Sequence, residues 1–229
     1  MAAASISDEP MTRRRVAVLI SGRGSNMAAL IAAAQTKDFP AEIALVASNR
    51  PDAKGLVAAR DAGLATAVVD HSRFGKDREA FERALQGELE ANRIDIVCLA
   101  GFMRLLTPWF VARWEGRMLN IHPALLPSFK GLDTHERALA AGVKIHGATV
   151  HFVVPEMDSG PVIAQGALAV RADDTAETLA RRVLAIEHRI YPLALRLVAE
   201  GRVRMEDGRC RIDGVRDGDA VLLVPGTGS

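Results

Sequence analysis

Cysteine, tyrosine and tryptophan are scarce in this sequence, and neither sign of charge is in excess. Its 229 residues include two cysteines, one tyrosine and two tryptophans, and 29 basic against 28 acidic residues leave a net charge of +1. A nearly neutral chain has no overall field that would draw it to nucleic acid or to a membrane surface. We therefore expect neither as a partner, and any basic site has to be local.

The two cysteines give no framework for a metal or a disulfide. Cys98 and Cys210 lie too far apart in the sequence to suggest a zinc site or a redox pair. Cys98 belongs to an apolar run and is expected to pack as a small hydrophobic residue. A reducing, cytoplasmic setting fits this usage best.

Long apolar runs are also absent. No segment approaches the roughly 18 uninterrupted apolar residues of a membrane span, and no apolar core precedes a small-residue cleavage site near the N-terminus. We expect residues 1–14 to form a disordered tail, residues 15–215 a single domain and residues 216–229 a C-terminal tail.

The first half of the chain alternates short apolar runs, rich in β-branched residues, with helical patterns. Continuous apolar runs suit parallel strands that are buried on both faces, and strands separated by helices of this length form βαβ units. The predicted strands are Val16–Ile20, Ile43–Ala47, Val68–Val69 and Ile94–Leu99.

The second half changes character. Further strands are predicted at Arg117–Ile121, Gly147–Val154 and Val162–Val170, followed by a long helix at Thr175–Ala199 and a hairpin around Asp207-Gly208. The predicted fold class is α/β. We expect an open, twisted, mostly parallel sheet with helices on both faces, a Rossmann-like N-terminal half and antiparallel additions at the C-terminal end.

A glycine-rich turn, Gly22-Arg23-Gly24-Ser25-Asn26, follows the first strand and opens a helix. Backbone N–H groups at such a helix N-terminus can face an anion. A dinucleotide site is poorly supported, because the sequence continues to Ala28 without a glycine three residues after Gly24, and no acidic residue ends the second strand. A single phosphate on a small substrate fits better, and an ordinary tight turn capped by Ser25 is the alternative.

Asn120 and His122 follow the predicted strand in the second half, where open α/β sheets place their ligands. Alternation along an extended segment points both side chains the same way and turns Ile121 into the core. An amide donor beside an imidazole can stabilise an oxyanion. Taken singly, Asn120 could be a turn former and His122 an ordinary loop histidine.

Asp158 lies in Asp158-Ser159-Gly160, a loop between two predicted strands. If this loop folds over the strand ends, its carboxylate contacts His122, holds the ring's orientation and favours imidazolium. Asp-Ser-Gly is also an everyday turn sequence. His146 and His151 fall on opposite faces of one strand, so no metal site is predicted. No Gly-x-Ser-x-Gly elbow or Cys–His pair is present, which leaves transfer between two bound substrates.

Six blocks of sequence together resemble one family, the folate-dependent phosphoribosylglycinamide formyltransferases of purine synthesis. The blocks occur in the family's order from about residue 16 to residue 205, and as a set they are specific. They are Val18–Asn26, Leu99–Arg104, Leu119–Pro127, His146–Val153, Met157–Ile163 and Glu187–Pro192.

The resemblance implies a role for each matched position, with phosphate binding in about residues 15–115 and folate binding and catalysis in about 116–215. It implies two small-molecule substrates, glycinamide ribonucleotide and 10-formyltetrahydrofolate as co-substrate, no metal, and a monomer or homodimer. The implied catalytic residues are Asn120, His122 and Asp158. The implied substrate-binding residues are Gly24, Ser25, Asn26 and Glu187, and the implied folate-binding residues are Arg78, Met103, Arg104, Leu105, Leu106 and Asn120.

Two related activities and a binding role remain as alternatives. A methionyl-tRNA formyltransferase would be expected to carry a further C-terminal domain and a basic surface. A formyltetrahydrofolate deformylase would be expected to carry an N-terminal regulatory domain. A non-catalytic nucleotide-binding module would explain the glycine-rich turn, but not Asn120 and His122 together with Asp158.

Overall fold

A computed structural model describes residues 13–214 and residue 224. Predictions for residues 1–12, and for the C-terminal tail apart from residue 224, lie outside the described residues. Arg14 already belongs to the first strand, one residue before the predicted start of the domain. Among the described helices, none is both long and apolar enough to cross a membrane.

The first half contains four βα units in sequence order. Apolar runs form the strands, and helices cover them in the order that alternation predicts. The elements are β1 Arg14–Ile20, α1 Ser25–Ala34, β2 Ala41–Ser48, α2 Gly55–Asp61, β3 Thr66–Val68, a 3₁₀ turn His71–Phe74, α3 Arg78–Ala91, β4 Ile96–Leu99 and α4 Pro108–Arg113.

The second half adds three strands, a long helix and a hairpin. The loop after β5 is ordered without regular structure, as its two prolines require. The elements are β5 Met118–His122, α5 Thr134–Ala140, β6 Ile145–Phe152, β7 Val162–Ala169, α6 Ala176–Ala199, β8 Val203–Glu206 and β9 Arg209–Ile212.

Seven strands form one sheet in the order β3-β2-β1-β4-β5-β6-β7, and β8 pairs with β9 separately. The first five are parallel, whereas β6 runs antiparallel to β5 and β7 antiparallel to β6. The predicted fold class is confirmed. The order reverses between β1 and β4, where open sheets of this kind leave a crevice at the carboxyl ends of the strands.

Two cores lie on opposite faces of the sheet. Alternate residues of β1 divide between them, with Val16, Val18 and Ile20 on one face and Ala17 and Leu19 on the other. Helices α1 and α6 cover the first face, and α3 and α4 cover the second. In β5, Leu119 and Ile121 belong to the first core, which leaves the side chains at 120 and 122 on the second face.

Candidate active site

The glycine-rich turn lies between β1 and α1, and its conformation depends on glycine. Gly24 has φ +75° at the N-cap of α1, and no side chain caps the helix there. The alternative in which Ser25 serves as a cap is therefore wrong. The first N–H groups of any helix lack intrahelical partners, so those of α1 are available to an anion.

Asn26 and Glu187 meet beneath this turn, although they lie on α1 and α6. Asn26 Nδ2 donates to Glu187 Oε2 at 2.5 Å, and both residues are buried. Burial raises the pKa of the Glu187 carboxyl, and the hydrogen bond from Asn26 offsets part of that rise. The structure thus brings together two of the predicted substrate-binding residues.

A cavity of about 420 Å³ opens at the glycine-rich turn. It lies at the reversal of strand order between β1 and β4, as the topology requires. Ser21, Asn49 and His71 form a network on its wall, and the sequence analysis did not identify them as site residues. Ser21 Oγ donates to Asn49 Oδ1 at 2.6 Å, and His71 Nδ1 lies 2.8 Å from the Asn49 carbonyl oxygen. Met103 and Arg104, two predicted folate-binding residues, also line it.

The remaining predicted folate-binding residues lie on the segment after β4, on α3 and, in the case of Asn120, on β5. Met103 and Leu105 are exposed, whereas Leu106 packs against the second core. The Arg104 guanidinium lies 5.0 Å from the centre of the Phe81 ring. Arg78, the first residue of α3, is one helical turn before that ring.

His122 and Asp158 come together at the end of β5. The distance from His122 Nδ1 to Asp158 Oδ2 is 3.4 Å, and His122 Nε2 lies 2.9 Å from the Phe129 carbonyl oxygen. Both ring nitrogens therefore face oxygen acceptors, an arrangement in which protonated imidazole can donate to both. For the His122 ring to donate to a substrate oxygen, the substrate has to replace either Asp158 or the Phe129 carbonyl as the acceptor.

The loop that carries Asp158 does fold over the strand ends, because Gly160 packs against β6. A Cβ at Gly160 would lie 1.8 Å from the Phe152 carbonyl oxygen, so a side chain has no room. Asp158 itself has φ +50°, an uncommon conformation for a residue with a Cβ. Gly131 N donates to Asp158 Oδ2 at 2.8 Å and fixes the carboxylate between two loops.

His151 belongs to the same cluster, although the sequence analysis did not identify it as a candidate active-site residue. In the antiparallel pairing of β5 with β6, His151 is the direct partner of Asn120. Its Nε2 lies 3.2 Å from Asn120 Nδ2 and 3.8 Å from Asp158 Oδ1. The signal that would have found it is this register, since Asn120 and His151 cannot be related by spacing along the sequence.

The protonation of His151 follows from its contacts. Nδ1 lies 2.8 Å from the Phe152 carbonyl oxygen, so Nδ1 carries the proton and Nε2 can accept from the Asn120 amide. Burial lowers the pKa of the His151 ring, against the opposing effect of Asp158. Accepting one Asn120 N–H leaves the second N–H of that amide for another oxygen.

No group of three or more His, Cys, Asp or Glu side chains that could hold a metal occurs among the described residues. The cluster offers instead an amide donor, an imidazole and a carboxylate at the end of β5, which pairs with β4, and the residues that follow β4 line the cavity at the glycine-rich turn. These are the elements of a site that stabilises charge during transfer between two bound molecules.

The fold is that of a known class of transferase. A family model described as formyl transferase matches residues 14–195. The chain belongs to the formyl transferase family and is an enzyme of the transferase class.

Within that family the chain groups with the phosphoribosylglycinamide formyltransferases. It is 46% identical to the Escherichia coli (strain K12) protein of that name over 201 residues, which cover 88% of this chain and 94% of that protein. The crystal structure of glycinamide ribonucleotide transformylase 1 from Symbiobacterium toebii superposes with a TM-score of 0.84 at 47% identity, covering 87% of this chain and 94% of that one.

A longer relative matches as well. The chain is 52% identical over 198 residues to the trifunctional purine biosynthetic protein adenosine-3 of Bos taurus. The match covers 86% of this chain but 20% of that protein. The chain thus spans about a fifth of the length of the trifunctional relatives it matches.

Proposed function

We propose that this enzyme transfers the formyl group of 10-formyltetrahydrofolate to the amine of N1-(5-phosphoribosyl)glycinamide, giving formylglycinamide ribonucleotide and tetrahydrofolate in purine biosynthesis. The observation that carries the proposal is the cluster at the end of β5, in which His151 contacts both Asn120 and Asp158, and Asp158 contacts His122. The neighbouring strand β4 leads into residues that line the cavity at the glycine-rich turn. The names of the relatives support the ribonucleotide as formyl acceptor, and the family resemblance of the sequence supplies the folate as formyl donor.

The ribonucleotide is proposed to bind at the glycine-rich turn. Its phosphate would accept from the backbone N–H groups of Gly24, Ser25 and Asn26 at the start of α1. Glu187, held by Asn26, would accept from the ribose hydroxyls. The phosphate would then lie at the backbone of Asn26 and the ribose at Glu187, whose carboxylate the Asn26 side chain contacts.

The formyl donor is proposed to bind along Met103–Leu106, and the residues there fit its chemistry. Met103 and Leu105 are 72% and 58% exposed, so they present apolar surface that a flat ring could cover. Arg104 and Arg78 supply positive charge for an acidic tail. When bound, the folate supplies a formyl group on a nitrogen that can leave.

Catalysis is proposed to rest on charge stabilisation and orientation. The glycinamide nitrogen forms a bond to the formyl carbon, the bond from that carbon to the folate nitrogen breaks, and one amine proton passes to the folate nitrogen. The free N–H of Asn120 and a protonated His122 would stabilise the negative charge that develops on the formyl oxygen. Asp158 would keep His122 oriented and charged and assist the proton transfer.

No group of the enzyme is proposed as the nucleophile. Both cysteines are free, and neither lines the cavity at the glycine-rich turn. Holding the two substrates together would therefore supply much of the rate. Two free thiols also suit the cytoplasmic setting that we propose for this enzyme.

The test is incubation of the purified protein with 10-formyltetrahydrofolate, with and without glycinamide ribonucleotide. We expect formylated ribonucleotide and tetrahydrofolate in equal amounts, and no turnover when the amine is omitted. Release of free formate would indicate a deformylase, and transfer only to charged initiator tRNA would indicate the tRNA enzyme. Either result would overturn the proposal.

A further inference from the structure

Helix α3 buries an acidic residue on its apolar face. Glu82 is 1% exposed and lies on the same side of the helix as Leu85 and Leu89, which belong to the second core. A carboxylate at such a position costs free energy unless hydrogen bonds replace the lost water. Packing alone would be served better by an apolar side chain of similar size.

The donors that compensate Glu82 all come from one residue. Thr107 N donates to Glu82 Oε1 at 2.7 Å, and the Thr107 hydroxyl donates to Glu82 Oε2. No lysine or arginine within residues 13–214 forms an ion pair with Glu82. Its carboxylate therefore binds the last residue of the segment that joins β4 to α4.

That segment is fixed at both of its ends and once between them. At its start, Met103 N donates to Ser21 Oγ at 2.8 Å. In the middle, the Arg104 guanidinium stacks on Phe81, the neighbour of Glu82 on α3. At its end, Glu82 accepts from both donors of Thr107, so a buried carboxylate holds this end of the segment.

The anchoring determines which side chains the segment presents. Leu106 is turned into the core, whereas Met103, which lines the cavity, and Leu105 remain exposed. Large apolar side chains held in water are unfavourable for the free protein. Holding them there in advance lowers the ordering cost of a ligand that covers them.

We propose that Glu82 is a positioning residue for the formyl donor: through Thr107 it holds Met103–Leu106 in the conformation that receives the folate. The inference rests on the proposed function, because it takes the folate to be the molecule that covers Met103 and Leu105. Glu82 does not touch either substrate and has no part in the transfer itself.

The test compares Michaelis constants for the two substrates. In Glu82→Ala we expect the KM for 10-formyltetrahydrofolate to rise about tenfold, since two hydrogen bonds to a charged group are lost. The KM for the ribonucleotide should stay within about twofold, because the glycine-rich turn is anchored elsewhere. Glu88→Ala, which removes an exposed acid from the same helix, should change neither constant.

Two milder variants keep the test decisive if Glu82→Ala does not fold. Glu82→Gln can still accept from Thr107 N while its amide donates to the Thr107 hydroxyl, so it should restore most of the donor affinity. Thr107→Val removes the hydroxyl and retains the backbone N–H, so it should raise the donor KM by a smaller factor. Thr107→Ser should behave like the unmodified enzyme.

The outcomes separate this inference from the proposed function. The first case is that the unmodified enzyme transfers formyl groups. If Thr107→Val and every Glu82 variant that folds then have the same KM for the formyl donor as the unmodified enzyme, even with a lower melting temperature, Glu82 is only structural. Equal increases in both Michaelis constants would also overturn the positioning role. If the unmodified enzyme forms no formylated ribonucleotide, the proposed function itself is wrong.

Discussion

Asp158 is the residue on which the proposed chemistry depends most directly. Its carboxylate lies within 3.4 Å of His122 Nδ1 and accepts from Gly131 N. An uncharged amide at this position would fill the same volume but would not stabilise a protonated ring. Binding of the ribonucleotide at the glycine-rich turn would be unaffected, because Asp158 does not line the cavity at that turn.

Asp158→Asn should therefore lower kcat by about 100-fold or more and leave the Kd for the ribonucleotide nearly unchanged. Single-turnover kinetics and calorimetric titration measure the two quantities. Glu156→Gln is the matched control, since Glu156 is an exposed acid of the same loop, and it should retain full activity. Near-normal turnover in Asp158→Asn would refute the role assigned to this carboxylate.

His151 contacts Asn120, one of the proposed catalytic residues. Its Nε2 accepts one N–H of the Asn120 amide, which determines which end of that amide faces the reacting centre. Without this acceptor the amide can rotate and present its oxygen, which would repel a developing negative charge.

His151→Phe should lower kcat about tenfold with little change in the KM for the ribonucleotide. His151→Gln retains an acceptor for Asn120 and should recover a large part of the activity. Steady-state kinetics of the two variants test whether His151 orients the Asn120 amide. Equal activity in His151→Phe and the unmodified enzyme would show that Asn120 is oriented by other contacts.

At the scale of elements, the turn between β1 and α1 shows how backbone geometry makes a binding site. Gly24 adopts φ +75°, and a Cβ there would lie 3.1 Å from Met27 Cε and 3.3 Å from Gly55 Cα. A side chain would have to move α1 away from α2. Gly22 lies two residues earlier in the same turn and has open space around its Cα.

Gly24→Ala should destabilise the protein by about 1–2 kcal/mol and weaken ribonucleotide binding about tenfold, because the N–H groups of α1 lose their alignment. Gly22→Ala is the control and should change both quantities little. Urea unfolding and calorimetric titration provide the measurements. A Gly24→Ala variant that binds as tightly as Gly22→Ala would mean that the phosphate is held elsewhere.

At the scale of the whole molecule, buried histidines set the dependence of stability on pH. Burial lowers the pKa of His135, His146, His151 and His188, in the case of His146 to about 4. Above pH 6.5 these rings are neutral in both states. As the pH falls below 6.5, the unfolded chain gains protons that the folded protein does not, so stability decreases. Glu187, whose pKa is raised, acts in the opposite direction.

The urea midpoint should therefore be lower at pH 5.5 than at pH 7.5. For His146 alone the loss is about 1 kcal/mol over this range after allowance for solvent screening. His146→Gln removes that contribution and should flatten the dependence. A midpoint that rises on acidification, or a slope that is the same in His146→Gln, would contradict this account.

The sequence by itself determined most of the helices and strands. Continuous apolar runs predicted buried strands, the glycine-rich run predicted a tight turn before α1, and alternation along β5 placed Asn120 and His122 on one face. These are local properties, because backbone conformation and side-chain direction depend on residues that are close together in the chain. The folate and ribonucleotide roles came from resemblance rather than from this local chemistry.

Only the tertiary structure decided which distant residues meet. The register of β5 with β6 places His151 against Asn120, the close approach of Gly160 to β6 brings Asp158 to His122, and the packing of α3 on α4 joins Glu82 to Thr107. Register and packing depend on the fit of whole faces, so no spacing along the sequence specifies them. For that reason the two positioning residues were found only in the folded molecule.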